Sequence, residues 1–326
     1  MHKDDIDGVL CYHLREGGSM REYRFLQWDV FTDRAFGGNP LAVFPEAEGL
    51  STQEMQSLAR EMNLSETTFV LPPQAPGADF RLRIFTPAAE LPFAGHPVVG
   101  THWALAHLGR VTLREPVTTV RLELGVGVLP ADLQVANGRL QRVVMTQGRP
   151  TFHAVLHDVR ELAEGLGLPP EAITETGLPV QVVSTGIPQM MVPVRSLAEV
   201  QTLGADRLNV AALNRACRAV GTEDVLVFTR QTERPEANVH VRNFAPLLGV
   251  PEDPATGSAN GALGAYLAHY KAVPWSGPTL RLVSEQGAEM SRPSTLYVEV
   301  DVERGEPVAV RVGGEAVLVA EGVVRF

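Results

Sequence analysis

The sequence predicts an α+β protein built from two similar lobes, and three observations support this fold class. Strand-like segments with alternating apolar residues are interspersed with shorter helix-like segments along the chain. The length of 326 residues is sufficient for two domains of about 150 residues each. A ten-residue segment of the first half also recurs, in degenerate form, in the second half.

The recurring segment reads RIFTPAAELP at residues 83–92 and RNFAPLLGVP at residues 242–251. The two copies share four identities at one offset of 159 residues (242 − 83), namely Arg83/Arg242, Phe85/Phe244, Pro87/Pro246 and Pro92/Pro251. Each copy is followed by a glycine-rich turn and a helix rich in alanine and glycine. We therefore expect each lobe to present a strand, a turn and a helix start to a shared cleft.

The lobes are assigned to residues 21–140 and 145–326, with the last strand a candidate to cross back to the first lobe. Residues 1–20 are polar, end in Gly-Gly-Ser before a second methionine, and lack the apolar core and cleavage site of a signal peptide. We interpret them as an extension that is predicted to be disordered.

In the first half, strands are predicted where apolar residues alternate, and helices between recognisable start and stop signals. A capping box from Ser51 to Glu54 starts a helix that runs to about Met62, and Gly109 ends a second helix. Gly37-Gly38-Asn39-Pro40 is a turn signal. The strand-like segments read REYRFLQWDVF, LAVF, SETTFV and DFRLRIFT, and the second helix reads VVGTHWALAHLG.

The second half has the same kinds of segment. Gly221 ends the helix that contains NRACRAVG, and ANGALGAYLAHY is predicted to be a further helix. The predicted strands read QMMVPV, DVLVFTR, VHVRNFAP, TLYVEV, VAVRV and AVLVAEGVVRF, and the last three are typical of an antiparallel meander. Gly125-Val126-Gly127 lacks the third glycine and the helix of a dinucleotide site, so we assign it to a strand.

Composition excludes several classes of function. The net charge of −10 and the pI of about 5.4 disfavour binding to nucleic acid or to anionic lipid. No apolar run approaches the roughly 18 residues of a membrane span. The two cysteines, Cys11 and Cys217, form neither a disulfide framework nor a metal-binding pattern. We expect a cytoplasmic protein without a bound metal.

Both predicted helix starts at the cleft suit an anion. Gly95 permits a close backbone approach, and Pro97 fits the first turn of a helix because its missing N–H would be unpaired there. Thr256, Gly257 and Ser258 provide a similar start in the other lobe. No lysine follows these glycines, so the pattern is not a P-loop, and a substrate carboxylate is the expected ligand.

Three side chains near these starts can transfer protons. His96 and Asp253 lie at the mouths of the two turns, and Glu66 precedes a strand-like run beside apolar residues. Each has an ordinary structural alternative, as a satisfied polar histidine, a turn aspartate and a solvated glutamate. The apparently equivalent placement of His96 and Asp253 in the two repeats favours the chemical interpretation. Desolvation of Glu66 would raise its pKa toward neutrality and make it a better proton carrier.

The segments FGGNPLAVF, SETTFV, RIFTPAAELPFAGHPVVGT and DPATGSANGALGAYL, in this order, resemble the PhzF-like family of isomerases. The resemblance implies the diaminopimelate-epimerase-like fold, in which each of two lobes wraps a mostly antiparallel sheet around a central helix. It also implies chemistry without a cofactor and a homodimer. It assigns proton transfer to Glu66, and further site residues to His96, Asp253 and Ser258.

Related epimerases of this fold use one cysteine at each of the two helix starts. The corresponding residues here are Ala94 and Thr256, so a two-cysteine epimerase is not expected. Our leading hypothesis is an isomerase that moves a proton on a small carboxylate, with Glu66, His96 and Asp253 as catalytic residues. A carboxylate-binding protein without catalysis and a hydro-lyase on the same fold are the alternatives. The sequence does not identify the substrate.

Overall fold

A computed structural model describes residues 20–326 of the chain. The predicted extension at residues 1–20 therefore lies, apart from Met20, outside the described residues, and so does Cys11. The first half contains β1 (Glu22–Val30), β2 (Asn39–Phe44), α1 (Thr52–Met62), β3 (Glu66–Leu71), β4 (Phe80–Phe85), β5 (Glu90–Leu91), α2 (Gly95–His107), β6 (Val117–Leu124), β7 (Gly127–Ala136) and β8 (Arg139–Thr146).

The second half contains more helices at its periphery. Its elements are β9 (Thr151–Leu156), α3 (Arg160–Leu166), α4 (Glu171–Thr174), β10 (Val180–Ser184), β11 (Pro188–Pro193), α5 (Leu197–Thr202), α6 (Val210–Val220), β12 (Val225–Thr229), β13 (Val239–Ala245), β14 (Val250–Asp253), α7 (Gly257–His269), β15 (Thr279–Gln286), β16 (Ser294–Glu303), β17 (Glu306–Gly314) and β18 (Ala316–Arg325). One 3₁₀ turn, at Pro246–Leu248, precedes β14, and a second, at Ala288–Met290, follows β15.

The two halves share one order of strand pairing, so the predicted repeat extends to the whole topology. In the first half, β1 pairs antiparallel with β2, β2 parallel with β3, β3 antiparallel with β4, and β4 parallel with β6, followed by the antiparallel run β6–β7–β8. In the second half, β10–β11–β12–β13–β15–β16–β17 repeats these directions in the same order. The short strands β5 and β14 fold back onto β4 and β13. The α+β prediction of two similar lobes is confirmed.

The two sheets are joined at two places. Strand β8 pairs antiparallel with β17, and β18 returns to pair antiparallel along the length of β1. The predicted meander of the last three strands is therefore correct for β16 and β17 and wrong for β18. The alternation of apolar residues in β18 is compatible with pairing to β1 as well as to β17, and the sequence alone does not specify the partner strand.

Each sheet wraps around one central helix, α2 in the first lobe and α7 in the second. Most residues of both helices are buried on all sides, as the absence of a polar face in their sequences requires. Glycines permit the close contact between helix and sheet. A Cβ on Gly100 would lie 2.6 Å from Leu41 Cδ2, and a Cβ on Gly264 would lie 2.6 Å from Val298 Cγ1.

Most of the predicted helix boundaries are confirmed by their capping contacts. Ser51 Oγ accepts a hydrogen bond from the Glu54 backbone N–H at 3.2 Å, and Glu54 Oε2 accepts one from the Ser51 N–H at 2.8 Å. Gly221 ends α6 in the left-handed conformation. The assignment of Gly125-Val126-Gly127 to a strand is wrong for the first two residues. They form the hairpin turn between β6 and β7, where Gly127 takes a φ of 118°.

The described residues contain one cysteine and no helix that could span a membrane. Cys217 is buried in α6 as a free thiol, in agreement with its apolar sequence context. Between residues 20 and 326, no helix is both long enough and apolar enough to cross a membrane.

Candidate active site

The N-termini of the two central helices meet between the lobes. Helix α2 follows Ala94 and helix α7 follows Thr256, and in the described structure neither side chain caps its helix. A Cβ on Gly95 would lie 3.8 Å from Gly257 Cα and 3.9 Å from the Ser258 backbone nitrogen, so the two starts are adjacent. Backbone N–H groups at uncapped helix N-termini attract anions, and two such termini here border one space.

Glu66 and His96 form a close buried pair at this space. Glu66 is the first residue of β3 and His96 is the second residue of α2. Glu66 Oε2 lies 3.1 Å from His96 Nε2, and their side chains are 15% and 7% exposed. The geometry of the contact is not that of a hydrogen bond, and neither atom has another partner within residues 20–326. Both atoms are therefore buried with unsatisfied hydrogen-bonding capacity.

Burial determines the charge of this pair. Burial and, to a smaller extent, the negative charge of Asp253 together raise the pKa of Glu66 to about 8. Burial also lowers the pKa of His96 to about 3. At pH 7 the pair is therefore mostly a protonated carboxyl group beside a neutral imidazole, and not an ion pair.

Asp253 is held by side chains of both lobes. Its Oδ1 accepts a hydrogen bond from Asn39 Nδ2 at 2.8 Å, and its Oδ2 accepts one from the Thr256 hydroxyl. Asn39 is the first residue of β2, so this contact joins the first lobe to the second. Burial raises the pKa of Asp253, although the hydrogen bonds from Thr256 and Asn39 oppose this effect.

The sequence placed His96 and Asp253 at equivalent positions of the two repeats, and this interpretation is wrong. His96 is the second residue of α2, whose counterpart in α7 is Ser258. Asp253 ends β14, four residues before α7 begins. Three residues precede each helix (92–94 and 254–256), so the counterpart of Asp253 in the first lobe is Leu91, at the end of β5, and not His96. The two side chains nevertheless border the same cavity.

All seven site residues predicted from the sequence line this one cavity of about 590 Å³, namely Glu66, Gly95, His96, Asp253, Thr256, Gly257 and Ser258. Its mouth is apolar and includes Phe93, Ile187, Leu248 and Val250. Three carboxyl groups border it, and among the described residues that line it there is no lysine or arginine. A substrate carboxylate would therefore depend on the backbone N–H groups of the helix starts.

Asp224 is a cavity residue that the sequence analysis missed. It precedes β12 and is 6% exposed, and burial raises its pKa to about 7 against opposing hydrogen bonds from Asn243 and Gln189. Its position is related to that of Glu66 by the repeat. Thr67 pairs with Phe85 as Val225 pairs with Phe244, so the residues before each, Glu66 and Asp224, correspond. The offset of this pair is 158 residues (224 − 66) and not 159, so extension of the ungapped repeat alignment upstream of Arg83 and Arg242 would have placed Val225 opposite Glu66.

Asn39 was also missed as a site residue. The sequence analysis assigned Gly37-Gly38-Asn39-Pro40 only to a turn, although the first strand-forming residue after the glycines is buried completely and contacts Asp253. A buried asparagine at a strand start, directly after two glycines, is the signal that could have identified it.

Two pseudo-equivalent lobes, with buried acid–base residues between paired helix starts, define the class of two-lobed isomerases and epimerases. The sequence profile described as "Phenazine biosynthesis-like protein" matches residues 28–322. The chain belongs to this family, the PhzF family, and is an isomerase. Its expected resemblance to the family is thereby confirmed.

Similar proteins agree in fold and in class. An uncharacterized isomerase of Clostridium acetobutylicum is 34% identical over 92% of this chain and 97% of its own length. The trans-2,3-dihydro-3-hydroxyanthranilate isomerase of Pseudomonas aeruginosa is 36% identical over 92% of this chain and 98% of its own length.

Solved structures extend this agreement. The crystal structure of a Bacillus anthracis phenazine biosynthesis protein of the PhzF family has a TM-score of 0.81 and 30% identity, and covers 93% of this chain and 99% of its own. A hydroxyproline epimerase from Agrobacterium vitis, with a TM-score of 0.63 and 17% identity over 94% of this chain and 91% of its own, shares the fold alone.

Proposed function

We propose that this isomerase moves a proton between two carbon atoms of a small carboxylate, with Glu66 as the proton carrier and without a cofactor. The single observation that supports this most is the buried contact between Glu66 and His96 beside two adjacent helix N-termini. A group that must accept and return a proton near neutral pH needs a pKa near that pH. Burial supplies this property to Glu66.

The substrate carboxylate would bind to backbone N–H groups of α2 and α7. Positive potential at helix N-termini favours an anion, and the two starts are close enough for one carboxylate to contact both. With the carboxylate fixed, the adjacent carbon would face Glu66. The apolar mouth around Phe93 and Leu248 would contact the hydrocarbon part of the substrate.

The proposed reaction has two proton transfers. Ionised Glu66 takes a proton from carbon, so that the C–H bond breaks and a carboxyl O–H bond forms, while the electron pair moves into the conjugated system next to the carboxylate. Glu66 then returns the proton, which can exchange with solvent while it is on the carboxyl group, to a second carbon, and a C–H bond forms there as the double bonds shift. The helix N-termini stabilise the negative charge that develops on the carboxylate. His96, neutral at pH 7, hydrogen-bonds either the substrate or Glu66.

A two-thiol mechanism has no support at the helix starts. Ala94 and Thr256 occupy the N-cap positions. Cys217 lies in α6 and does not line the cavity, and burial raises the pKa of its thiol to about 12. A thiol with that pKa is an inefficient base near neutral pH.

Substitution of Glu66 tests the proposed reaction. The name of the Pseudomonas relative suggests trans-2,3-dihydro-3-hydroxyanthranilate as the first compound to try, followed by other small unsaturated carboxylates. Deuterium incorporation from D₂O would be followed by proton NMR. We expect Glu66→Gln to lower the rate of isomerisation and exchange by about 10²–10⁴-fold while ligand binding persists.

Glu61→Gln is the matched control, because Glu61 is exposed on α1 and outside the cavity. It should retain the full rate. Full deuterium exchange in Glu66→Gln would overturn the assignment of the proton carrier. Release of water, detected as a lower product mass, would instead identify a hydro-lyase.

We also propose that the protein is a cytoplasmic homodimer, as the family resemblance implies. Multi-angle light scattering on the purified full chain would give twice the monomer mass of 35.3 kDa. A mass of one chain at micromolar concentration would contradict the dimer without affecting the catalytic proposal.

A further inference from the structure

Gln286, the last residue of β15, makes four hydrogen bonds around the start of α7. It is 1% exposed and does not line the cavity. Its Oε1 accepts hydrogen bonds from the Thr256 backbone N–H at 3.1 Å and from Asn260 Nδ2 at 2.8 Å. Its Nε2 donates to the Asp253 backbone oxygen at 2.7 Å and to Thr256 Oγ1 at 3.1 Å. All donor and acceptor positions of the amide are therefore used, and the backbone partners fix which atom is the nitrogen.

These contacts determine the direction of the hydrogen bond between Thr256 and Asp253. A threonine hydroxyl has one proton. Because Gln286 Nε2 can only donate to the hydroxyl oxygen, the hydroxyl proton is directed to Asp253 Oδ2, with which it makes a close hydrogen bond. Asn39 Nδ2 donates to the other carboxyl oxygen at 2.8 Å. Both oxygens of Asp253 therefore accept hydrogen bonds, an arrangement that suits an ionised carboxylate.

The same contacts hold the Thr256 side chain away from its own helix. Thr256 is the N-cap residue of α7 and has an extended backbone conformation. A threonine in this position usually accepts a hydrogen bond from the backbone N–H of the second or third helical residue, here Ser258 or Ala259. Thr256 makes no such bond, since its hydroxyl group contacts Asp253 and Gln286 instead. The first N–H groups of α7 are therefore left open.

The repeat identifies the counterpart of Gln286 in the first lobe. Strand β6 pairs with β4 as β15 pairs with β13, and this pairing aligns Glu123 with Glu285. Each of these glutamates accepts hydrogen bonds from two successive backbone N–H groups, those of Gln74 and Ala75 in the first lobe and of Glu233 and Arg234 in the second. The alignment is therefore secure, and the next residues, Leu124 and Gln286, are counterparts.

The polar residues around the α7 start have apolar counterparts around the α2 start, namely Leu91 for Asp253, Ala94 for Thr256 and Leu124 for Gln286. The same short strand, turn and helix nevertheless form in both lobes. The fold therefore does not require the polar set, and its presence in one lobe alone points to a role in the cavity.

Unpaired polar atoms in the cavity independently indicate that a ligand binds beside this helix start. They include His96 Nε2 and Asn243 Oδ1, which have no hydrogen-bond partner among residues 20–326. Both residues line the cavity and are only 6% and 1% exposed. Buried polar atoms are normally paired.

We propose that Gln286 is a positioning residue that holds the Thr256 side chain on Asp253 and so keeps the first N–H groups of α7 free for the substrate carboxylate. The inference rests on the proposed function, because it takes the carboxylate to bind at this helix start. Gln286 acts through Thr256 and does not contact the ligand. Without Gln286, Thr256 Oγ1 can turn and cap α7 in competition with the carboxylate. The first lobe needs no equivalent, because Ala94 has no side chain that could cap α2.

A double-mutant cycle tests this role with benzoate as the probe. Calorimetry at pH 8 would give the Kd of benzoate for the full-length wild type, Gln286→Leu, Thr256→Ala and the double variant. In Gln286→Leu the released threonine caps α7, whereas the double variant has no hydroxyl group to form a cap. An N-cap changes an equilibrium constant by about two- to thirtyfold. We therefore expect benzoate to bind at least about fivefold more weakly to Gln286→Leu than to the double variant.

The comparison of these two variants isolates the cap, because Asp253 loses its hydrogen bond from Thr256 in both. Gln181→Leu is the matched control. Gln181 is a buried glutamine of β10 whose hydrogen bonds to His153 and Tyr270 lie outside the cavity, so this variant should keep the wild-type Kd. If Gln286→Leu does not fold, Gln286→Met, which has a side chain of similar length without an amide group, takes its place in both variants.

The outcomes separate this inference from the proposed function. A purely structural role of Gln286 predicts that removal of the Thr256 hydroxyl group restores nothing. If the wild type binds benzoate but the double variant binds it no more tightly than Gln286→Leu, the positioning role is overturned and the carboxylate site stands. If the wild type binds none of benzoate, cyclohexanecarboxylate and acetate, the carboxylate site fails, and the inference fails with it.

Discussion

Glu66 is a buried carboxyl group and, in our proposal, the group that carries the proton. Its side chain is 15% exposed and contacts His96, and burial raises its pKa to about 8. A glutamate on a solvated surface would be almost fully ionised at pH 7 and would be a weak base. The cavity therefore makes Glu66 more basic than its residue type alone would allow.

The pH dependence of catalysis should report this pKa. We expect log kcat/KM to rise with a slope near one as the pH increases toward about 8, because the free enzyme must lose the proton of Glu66 before it can accept one from carbon. Above this pH the profile should reach a plateau. Steady-state rates from pH 5.5 to 9.5 would measure it. A profile that is flat between pH 6 and 9 would contradict a raised pKa in the group that removes the proton.

The sequence predicted His96 and Asp253 because polar residues beside glycine-rich helix starts are conspicuous, and Glu66 because it precedes a strand-like run beside apolar residues. It did not predict Asp224, which precedes the apolar strand segment VLVFT, or Gln189, which lies within PQMMVP. Their placement beside each other depends on which strands are neighbours, and β11 and β12 are adjacent although 31 residues separate the end of β11 from the start of β12. Local pattern does not carry that information.

At the scale of elements, the long central helices α2 and α7 lack a side-chain N-cap, as the short helices α3 and α4 also do. Ser51, Ser196 and Asn209 cap α1, α5 and α6 with their side chains, whereas Ala94 and Thr256 do not cap theirs. Uncapped N–H groups lower the stability of a helix but remain available to a ligand. These two helices are therefore suited to bind an anion at a cost in stability.

A side-chain cap added to α2 should raise the stability of the helix and weaken anion binding at its N-terminus. Ala94 has the extended backbone conformation of an N-cap residue, so Ala94→Asp can place a carboxylate on the free N–H groups. We expect unfolding to become harder by about 0.5–2 kcal/mol, because the helix gains a cap. We also expect the affinity for benzoate to fall by at least about tenfold, because the new side chain occupies the anion site.

Urea denaturation and calorimetry of Ala94→Asp would measure the two effects separately. Ala94→Asn provides a cap without a charge and should stabilise the helix with a smaller loss of affinity. A variant that gains stability but binds benzoate as tightly as the wild type would show that the N-terminus of α2 does not hold the carboxylate.

At the scale of the whole molecule, one continuous network of strand pairing holds the cavity between the lobes. Strand β8 joins β17, and β18 joins β1, so each lobe is tied to the other by backbone hydrogen bonds at two places. Arg292 adds ion pairing with Asp29 and hydrogen bonds to the backbone of Gly37 and Gly38 across the lobes. The two-lobe plan was predictable from the repeat, whereas the sequence named the return of the last strand only as a candidate, since the partner of β18 depends on closure of the whole fold.

Burial of Glu66 between the lobes lowers the free energy of unfolding at high pH. The pKa of Glu66 is raised in the folded state, so the folded protein retains a proton that the unfolded chain has lost above pH 4.5. Stability therefore falls as pH rises toward about 8. His240 also makes stability fall as the pH rises. Burial lowers its pKa, but the hydrogen bonds to Glu285 and Glu289 outweigh burial and raise the pKa to about 9. His96 acts in the opposite sense, but only below pH 6.5.

Glu66→Gln should therefore stabilise the protein most where the wild-type glutamate is forced to ionise. Between pH 6.5 and 8, we expect the unfolding free energy of the wild type to fall more steeply than that of Glu66→Gln, by up to about 1.4 kcal/mol per pH unit. The contribution of His240 is the same in both proteins and cancels. Urea denaturation at half-unit pH intervals would measure this difference, with Glu61→Gln as the control. Parallel curves would contradict a raised pKa at Glu66, whereas a steeper wild-type curve would show that catalytic basicity and instability have the same physical origin in burial.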